Sequence, residues 1–355
     1  MRRFRCQCGV AVFFENSHCG SCGSTLGFVP DRLTLEALHQ TQEGAWRTHD
    51  GLAVRFCANH LDHAVCNWVI PADDPTPLCR SCRLNGIIPD LSVAEHLPLW
   101  GAVERAKRRL LYSLFALGLP VTGRDRDPEH GLIFDFPTDR RADTEFTQHL
   151  ESVPDVTTGH DSGRITIDLA EADEIARLRA RRELGERYRT LLGHFRHEIG
   201  HYYWFRRVNR EPLLGEFRTL FGDERADYGE ALQRHYAQSQ AGALPPPDFI
   251  SHYAGAHPWE DWAETFAHYL HIVDGIETAA DYGIQVEQRI VGSAGLPTRD
   301  GGGDFEALLA DWHDLALALN SLNRSMGQED PYPFVMTDPI HEKLKMIHRV
   351  VTPPG

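Results

Sequence analysis

The segment His197-Glu198-Ile199-Gly200-His201 sets two imidazoles four residues apart, with a carboxylate directly after the first. On a helix that spacing puts both rings on one face, one turn apart, where they can share a metal ion. Glu198 is then placed to reach a water on that metal instead of the metal itself. Zinc lowers the pKa of such a water, and Glu198 can take its proton as the oxygen attacks a carbonyl. The chain has 20 histidines, so the pentapeptide alone is a modest signal. A catalytic zinc needs three protein ligands and one open position, and the weight falls on finding the third.

Downstream runs His257-Pro258-Trp259-Glu260-Asp261-Trp262-Ala263-Glu264-Thr265-Phe266-Ala267-His268-Tyr269-Leu270-His271. Pro258 suits a first helical turn, and the acids behind it suit the positive end of the helix dipole. Trp262, Phe266, Tyr269 and Leu270 give the apolar stripe. Glu260 and Glu264 share one face, so one carboxylate can bind zinc while the other orients a histidine ligand through its second nitrogen. Tyr253 and His257, just ahead, are candidate donors for an oxyanion, with packing as the plainer role. The acidic run at Asp223, Glu224 and Asp227 reads as a solvated helix face; lining a cleft or binding a substrate amine is its alternative. His194, three before His197, reads as a hydrogen-bonded structural residue.

All eight cysteines lie in the first 82 residues. Cys6-x-Cys8 and Cys19-x-x-Cys22 are two short hooks with glycines beside them, the pattern of a tetrahedral four-thiolate zinc site. So short a segment buries too little apolar area to fold without the metal. Cys57, Cys66, Cys79 and Cys82 form a second set with one compact hook. Buried thiols, or a histidine (His60 or His63) in place of one cysteine, are its alternatives. Four thiolates leave no open coordination position, so both sites are expected to be structural.

An HExxH helix followed by a helix carrying Glu-x-x-x-Asp/Glu resembles the gluzincin metallopeptidases. The run Glu260-x-x-Ala263-Glu264-x-Phe266 is similar to the equivalent helix of anthrax lethal factor. That resemblance implies Glu260 as the zinc ligand and Glu264 as its supporting partner, with Glu264 as the alternative ligand. Four phrases resemble more closely a bacterial family of zinc-binding metallopeptidases with an amino-terminal zinc ribbon. They are Cys66-Asn67-Trp68, Cys79-Arg80-Ser81-Cys82-Arg83-Leu84-Asn85, His194-Phe195-Arg196-His197-Glu198 and His257 to Glu264. The likeness covers nearly the full chain and implies a peptidase with one catalytic zinc and one or two structural ones.

The elements that must position these residues follow from periodicity. Residues 172–208, proline-free and rich in Arg, Leu and Glu, read as the helix that carries the HExxH motif. Leu97 to Leu119 reads as an amphipathic helix joining the cysteine-rich part to the catalytic part. Gly163 to Leu169 alternates as a strand, a possible edge for an extended peptide to pair with. A helix running to Tyr236 follows the acidic run, and Phe305 to Asn323 and Ile340 to Val350 are also helical. Residues 243–248 and 292–303 are loops. The expected fold is α+β: a helix-dominated zincin-like catalytic domain over 96–355 behind a cysteine-rich region over 1–95. That region holds a ribbon over 1–30 and the second cluster over 50–90.

Composition fits a soluble globular chain, with 42% hydrophobic and 25% charged residues. A net charge of −15 argues against a general nucleic-acid binder. No apolar run reaches the length of a membrane span, and the arginines near Met1 have no apolar stretch behind them. A cytoplasmic location is therefore expected, where the thiols stay reduced. The expected partners are a peptide or protein substrate, and a protein docked on the ribbon. The alternative is a non-catalytic regulatory protein whose HExxH site is vestigial, although such a site has no need for Glu198.

Overall fold

The structure, a computed structural model, describes residues 2–138, 162–173, 190–238, 245–286, 288–293, 295–297 and 302–352. The expected helix over 172–208 lies partly outside these residues, as do the loops over 243–248 and 292–303. The chain forms two units, Met1–Ala116 with Pro120–Asp173, and Leu117–Leu119 with Glu174–Gly355. The architecture is α+β. No described helix is long and apolar enough to cross a membrane.

The first unit opens with a hairpin, β1 (Phe4–Arg5) and β2 (Ala11–Val12), whose loop carries the first cysteine hook. An antiparallel five-stranded sheet follows in sequence order: β3 (Thr25–Val29), β4 (Thr34–Gln40), β5 (Trp46–Arg47), β6 (Ala53–Phe56) and β7 (Val69–Pro71). A further bridge between Phe28 and Trp68 brings the first strand back beside the approach to the last. Phe4, Phe14, Phe28, Trp68 and Tyr112 pack ring on ring at centroid separations of 4.8–6.2 Å. That aromatic core ties the ribbon to the sheet and to helix α1 (His96–Ala116). Helix α1, expected to lead into the catalytic part, packs within this first unit.

Helix α1 also buries charge. Lys107 Nζ and Asn85 Nδ2 each donate to Glu104 Oε1 at 2.8 Å, which offsets the cost of removing those ions from water. The segment expected as a strand over 163–169 is one at β9 (Arg164–Thr166), paired in parallel with β8 (Ile133–Asp135). It belongs to the first unit.

The described part of the second unit is mostly helical. Helix α2 (Leu191–Tyr203) is capped by Thr190, whose Oγ1 accepts from Gly193 N at 2.9 Å. It is continued by a wider π-type turn, Trp204–Val208. Helices α3 (Leu213–Leu220) and α4 (Tyr228–Gln238) precede the long α5 (Pro258–Tyr282). A small hairpin, β10 (Gln285–Val286) with β11 (Arg289–Ile290), leads to α6 (Phe305–Ser325) and α7 (Asp338–Val351). Helix α5 ends where Gly283 turns left-handed at φ 65°.

Helices α2 and α5 meet at Gly200. A Cβ there would sit 3.0 Å from Ala263 Cα and 3.1 Å from Phe266 Cβ, so a side chain at this position would push the two backbones apart. Trp262 Nε1 closes the contact by donating to Gly200 O at 2.9 Å. The HExxH helix is thereby pinned, in register, against the helix that carries Glu260.

Candidate metal centre

His197, Glu198 and His201 occupy the buried face of α2, each at most 7% exposed. The two Nε2 atoms lie 3.2 Å apart. Glu260, in the first turn of α5, faces both, with Oε2 at 3.0 Å from His197 Nε2 and Oε1 at 3.6 Å from His201 Nε2. Zinc bonds of 2.0–2.1 Å in a tetrahedron set ligand atoms about 3.3 Å apart, so these separations match the edges of such a site. The charge pattern matches as well. Convergent imidazole and carboxylate lone pairs repel unless a cation lies among them, and all three side chains are buried. Among the described residues no fourth His, Cys, Asp or Glu joins this set.

Glu264 stands on the other side of His197. Its Oε1 accepts from His197 Nδ1 at 2.7 Å, and its Oε2 accepts from Ser251 Oγ at 2.6 Å. A proton fixed on Nδ1 leaves the Nε2 lone pair for a metal. The two glutamates are thus separated by which nitrogen of His197 they face: Glu260 toward the convergent donors, Glu264 behind them. Burial disfavours charge on His197, but hydrogen bonds to Glu260 and Glu264 hold it well above the ordinary histidine range.

Glu198 projects beside the three donors without joining them. His194 Nε2 donates to its Oε1 at 3.1 Å, while Oε2 is buried with no hydrogen-bond partner. Burial pushes this carboxyl up; His194 and the charges of His197 and His201 outweigh it and hold the group below the usual carboxylate range. Glu198 is therefore an ionised acceptor with one oxygen unpaired.

Tyr228, at the start of α4, is a site residue that no motif pointed to. Its hydroxyl donates to Glu260 Oε1 at 3.0 Å and is itself hydrogen-bonded to Tyr253. Burial first, then the Glu260 charge, push that hydroxyl above the ordinary tyrosine range, so it stays a donor. Tyr253 lies near the centre, its ring 5.8 Å from that of His197. Both ring nitrogens of His257, the other candidate donor, are engaged by backbone. Its Nδ1 accepts from Trp259 N and its Nε2 donates to Ala226 O, each at 3.1 Å, so both nitrogens cap backbone. The acidic run is likewise engaged: Asp223 pairs with Arg225, Glu224 with Arg218, and Asp227 caps α4 through Glu230 N.

Both cysteine sets converge, and all eight sulfurs are free of disulfides. In the first, Cys6 Sγ is 3.6 Å from Cys22 Sγ and Cys8 Sγ 3.7 Å from Cys19 Sγ. In the second, Cys66 Sγ is 3.7 Å from Cys79 Sγ. Zinc–sulfur bonds of 2.3 Å set tetrahedral edges of about 3.8 Å, close to all three. The second set is fully buried and takes backbone N–H groups from Trp68, Cys79 and Cys82 at 3.4–3.5 Å. No histidine replaces a cysteine there. His60 donates from Nδ1 to Cys66 O at 2.6 Å and stacks on Phe56, and His63 packs edge-on to Trp100.

With this geometry in place, comparison with known proteins decides the family. Residues 96–350 match a family described as "Putative zinc-binding metallo-peptidase". The chain belongs to that family. Residues 3–93 match a zinc-ribbon domain, in agreement with the two cysteine sets. The chain is similar to an uncharacterised protein of Mycobacterium tuberculosis and to one of Mycobacterium bovis. Each is 44% identical over 359 residues, covering 99% of this chain and 95% of the relative. No solved structure matches. Membership in this family, with the convergent Cys, His and Glu clusters, makes the chain zinc-binding.

Proposed function

We propose that this member of the family is an active zinc-dependent peptidase, with one catalytic zinc held by His197, His201 and Glu260 and two structural zincs held by the cysteines. The observation that carries the reading is the free Oε2 of Glu198, buried beside three donors that fill three corners of a tetrahedron. A purely structural site has no use for an ionised carboxylate held next to the metal ligands and left half unpaired.

Zinc, when bound, polarises the scissile carbonyl and makes a water acidic enough to attack at neutral pH. Glu198 accepts the proton that the attacking water loses and returns it to the departing amine. Glu264 keeps the Nδ1 proton on His197, so that Nε2 stays a donor to the metal. Tyr228 holds Glu260 Oε1, and Tyr253, whose ring lies 5.8 Å from that of His197, is the candidate donor to the developing oxyanion.

The test is turnover of a defined peptide library by wild type and by Glu198→Gln. The expected result is cleavage by wild type and a loss of at least 100-fold in the variant with zinc retained. A wild-type chain that binds zinc and cleaves nothing would support a non-catalytic role instead.

A further inference from the structure

We infer that His194 is a positioning residue for Glu198, fixing one carboxylate oxygen so that the other faces the attacking water. The inference rests on the peptidase reading above and adds a residue to it.

Three observations carry it. His194 sits in the first turn of α2, where Thr190 caps the helix and accepts from both Gly193 N and His194 N. The ring therefore starts from a fixed backbone. Its Nε2 meets Glu198 Oε1 at 3.1 Å, one helical turn on. A ring N–H facing a carboxylate oxygen at this distance is the donor of that bond. Finally, the unpaired oxygen and the paired one belong to the same buried carboxylate. Rotation about the last side-chain bond would exchange them, and the His194 bond is what distinguishes them.

An ordinary pair at this spacing on a helix surface contributes only a few tenths of a kcal/mol. Here the acceptor is 4% exposed, and losing its donor would leave the whole carboxylate without a protein partner. The effect therefore falls on orientation at the reacting centre, where a small misplacement costs about 100-fold. It should appear in kcat and leave substrate binding alone.

The experiment compares wild type, His194→Leu and His194→Gln, the last keeping a side-chain N–H donor. His194→Leu is expected to lower kcat about 10- to 100-fold at unchanged KM and unchanged zinc content; His194→Gln is expected to recover most of that loss. Equal kcat in wild type and His194→Leu would overturn the inference, and so would a glutamine variant as impaired as the leucine one.

A second readout does not need turnover. Long-range proton–nitrogen spectra of wild type, with Glu198→Ala as control, report where the His194 ring proton sits. A proton on Nε2 that redistributes in Glu198→Ala supports the pairing. A proton on Nδ1, or a ring unaffected by Glu198→Ala, overturns it. If wild type cleaves no peptide, the peptidase reading fails while these spectra still decide the pairing.

Discussion

His197 Nδ1 donates to Glu264 Oε1 at 2.7 Å, and the Oε2 of that same carboxylate is held by Ser251 Oγ. The relationship assigns different work to two glutamates that share one helix face. Removing Glu264 should leave three metal ligands in place but free His197 to rotate and change tautomer. Glu264→Ala is expected to weaken zinc at this centre about 10- to 100-fold, the usual cost of losing an outer partner. Glu260→Ala is expected to abolish it. Chelator competition on the two variants checks this; equal losses would contradict the assignment.

Tyr228 reaches Glu260 Oε1 from a different helix. Tyr228→Phe removes one hydroxyl donor and little packing. The expected outcome is about tenfold weaker zinc at this centre, with the cysteine sites unaffected. A zinc affinity indistinguishable from wild type would show that Glu260 is held well enough by the helix alone.

At Gly200 two effects oppose each other. Any side chain but proline improves helix propensity over glycine by up to about 1 kcal/mol, but forcing volume into a packed interior costs about 1–3 kcal/mol. The neighbour is the Ala263 backbone at 3.0 Å, which cannot step aside as a flexible side chain would. Gly200→Val is therefore expected to lower Tm by several degrees and to weaken zinc, because α2 shifts relative to Glu260. Thermal melts with metal analysis test it; an unchanged Tm would mean that the two helices tolerate separation.

Stability should depend on pH through His268. Burial holds this imidazole down at about 4, against the opposing pull of Glu264. The unfolded chain takes up the proton below about 6.5, the folded chain only near 4. The stabilisation is thus present above pH 6.5 and lost as pH falls toward 4, by at most about 3 kcal/mol. Denaturant unfolding of wild type and His268→Gln over this range is the check. The variant, which also loses the bond to Tyr332, should be less stable at neutral pH but show a shallower decline. Parallel declines would contradict the account.

What the sequence made legible was local. Two histidines four apart, a proline followed by acids, and paired cysteine hooks are each contained in one helix or one turn, so spacing alone states their geometry. Between helices the spacing runs out. Glu260 and Glu264 share one face by periodicity, and only the placement of α5 against α2 shows which nitrogen of His197 each one meets. Tyr228 lies 32 residues before Glu260 and joins it through tertiary packing, which leaves no mark on local pattern. His257 looked like a donor because it precedes the ligand helix, and that same position makes it the N-cap. His60 and His63 sit between cysteines in sequence, yet the fold turns them onto Phe56 and Trp100. His194 read as structural because an additional histidine on a helix is more often a hydrogen-bonded structural residue; the burial of the carboxylate it meets sets this one apart.

The central claim is that His197, His201 and Glu260 hold one zinc apart from the two cysteine sites. Metal analysis of wild type and of the His197→Ala, His201→Ala double variant tests it most directly. The expected result is three zinc ions per chain falling to two, with the fold retained. An unchanged zinc content in the double variant would contradict it.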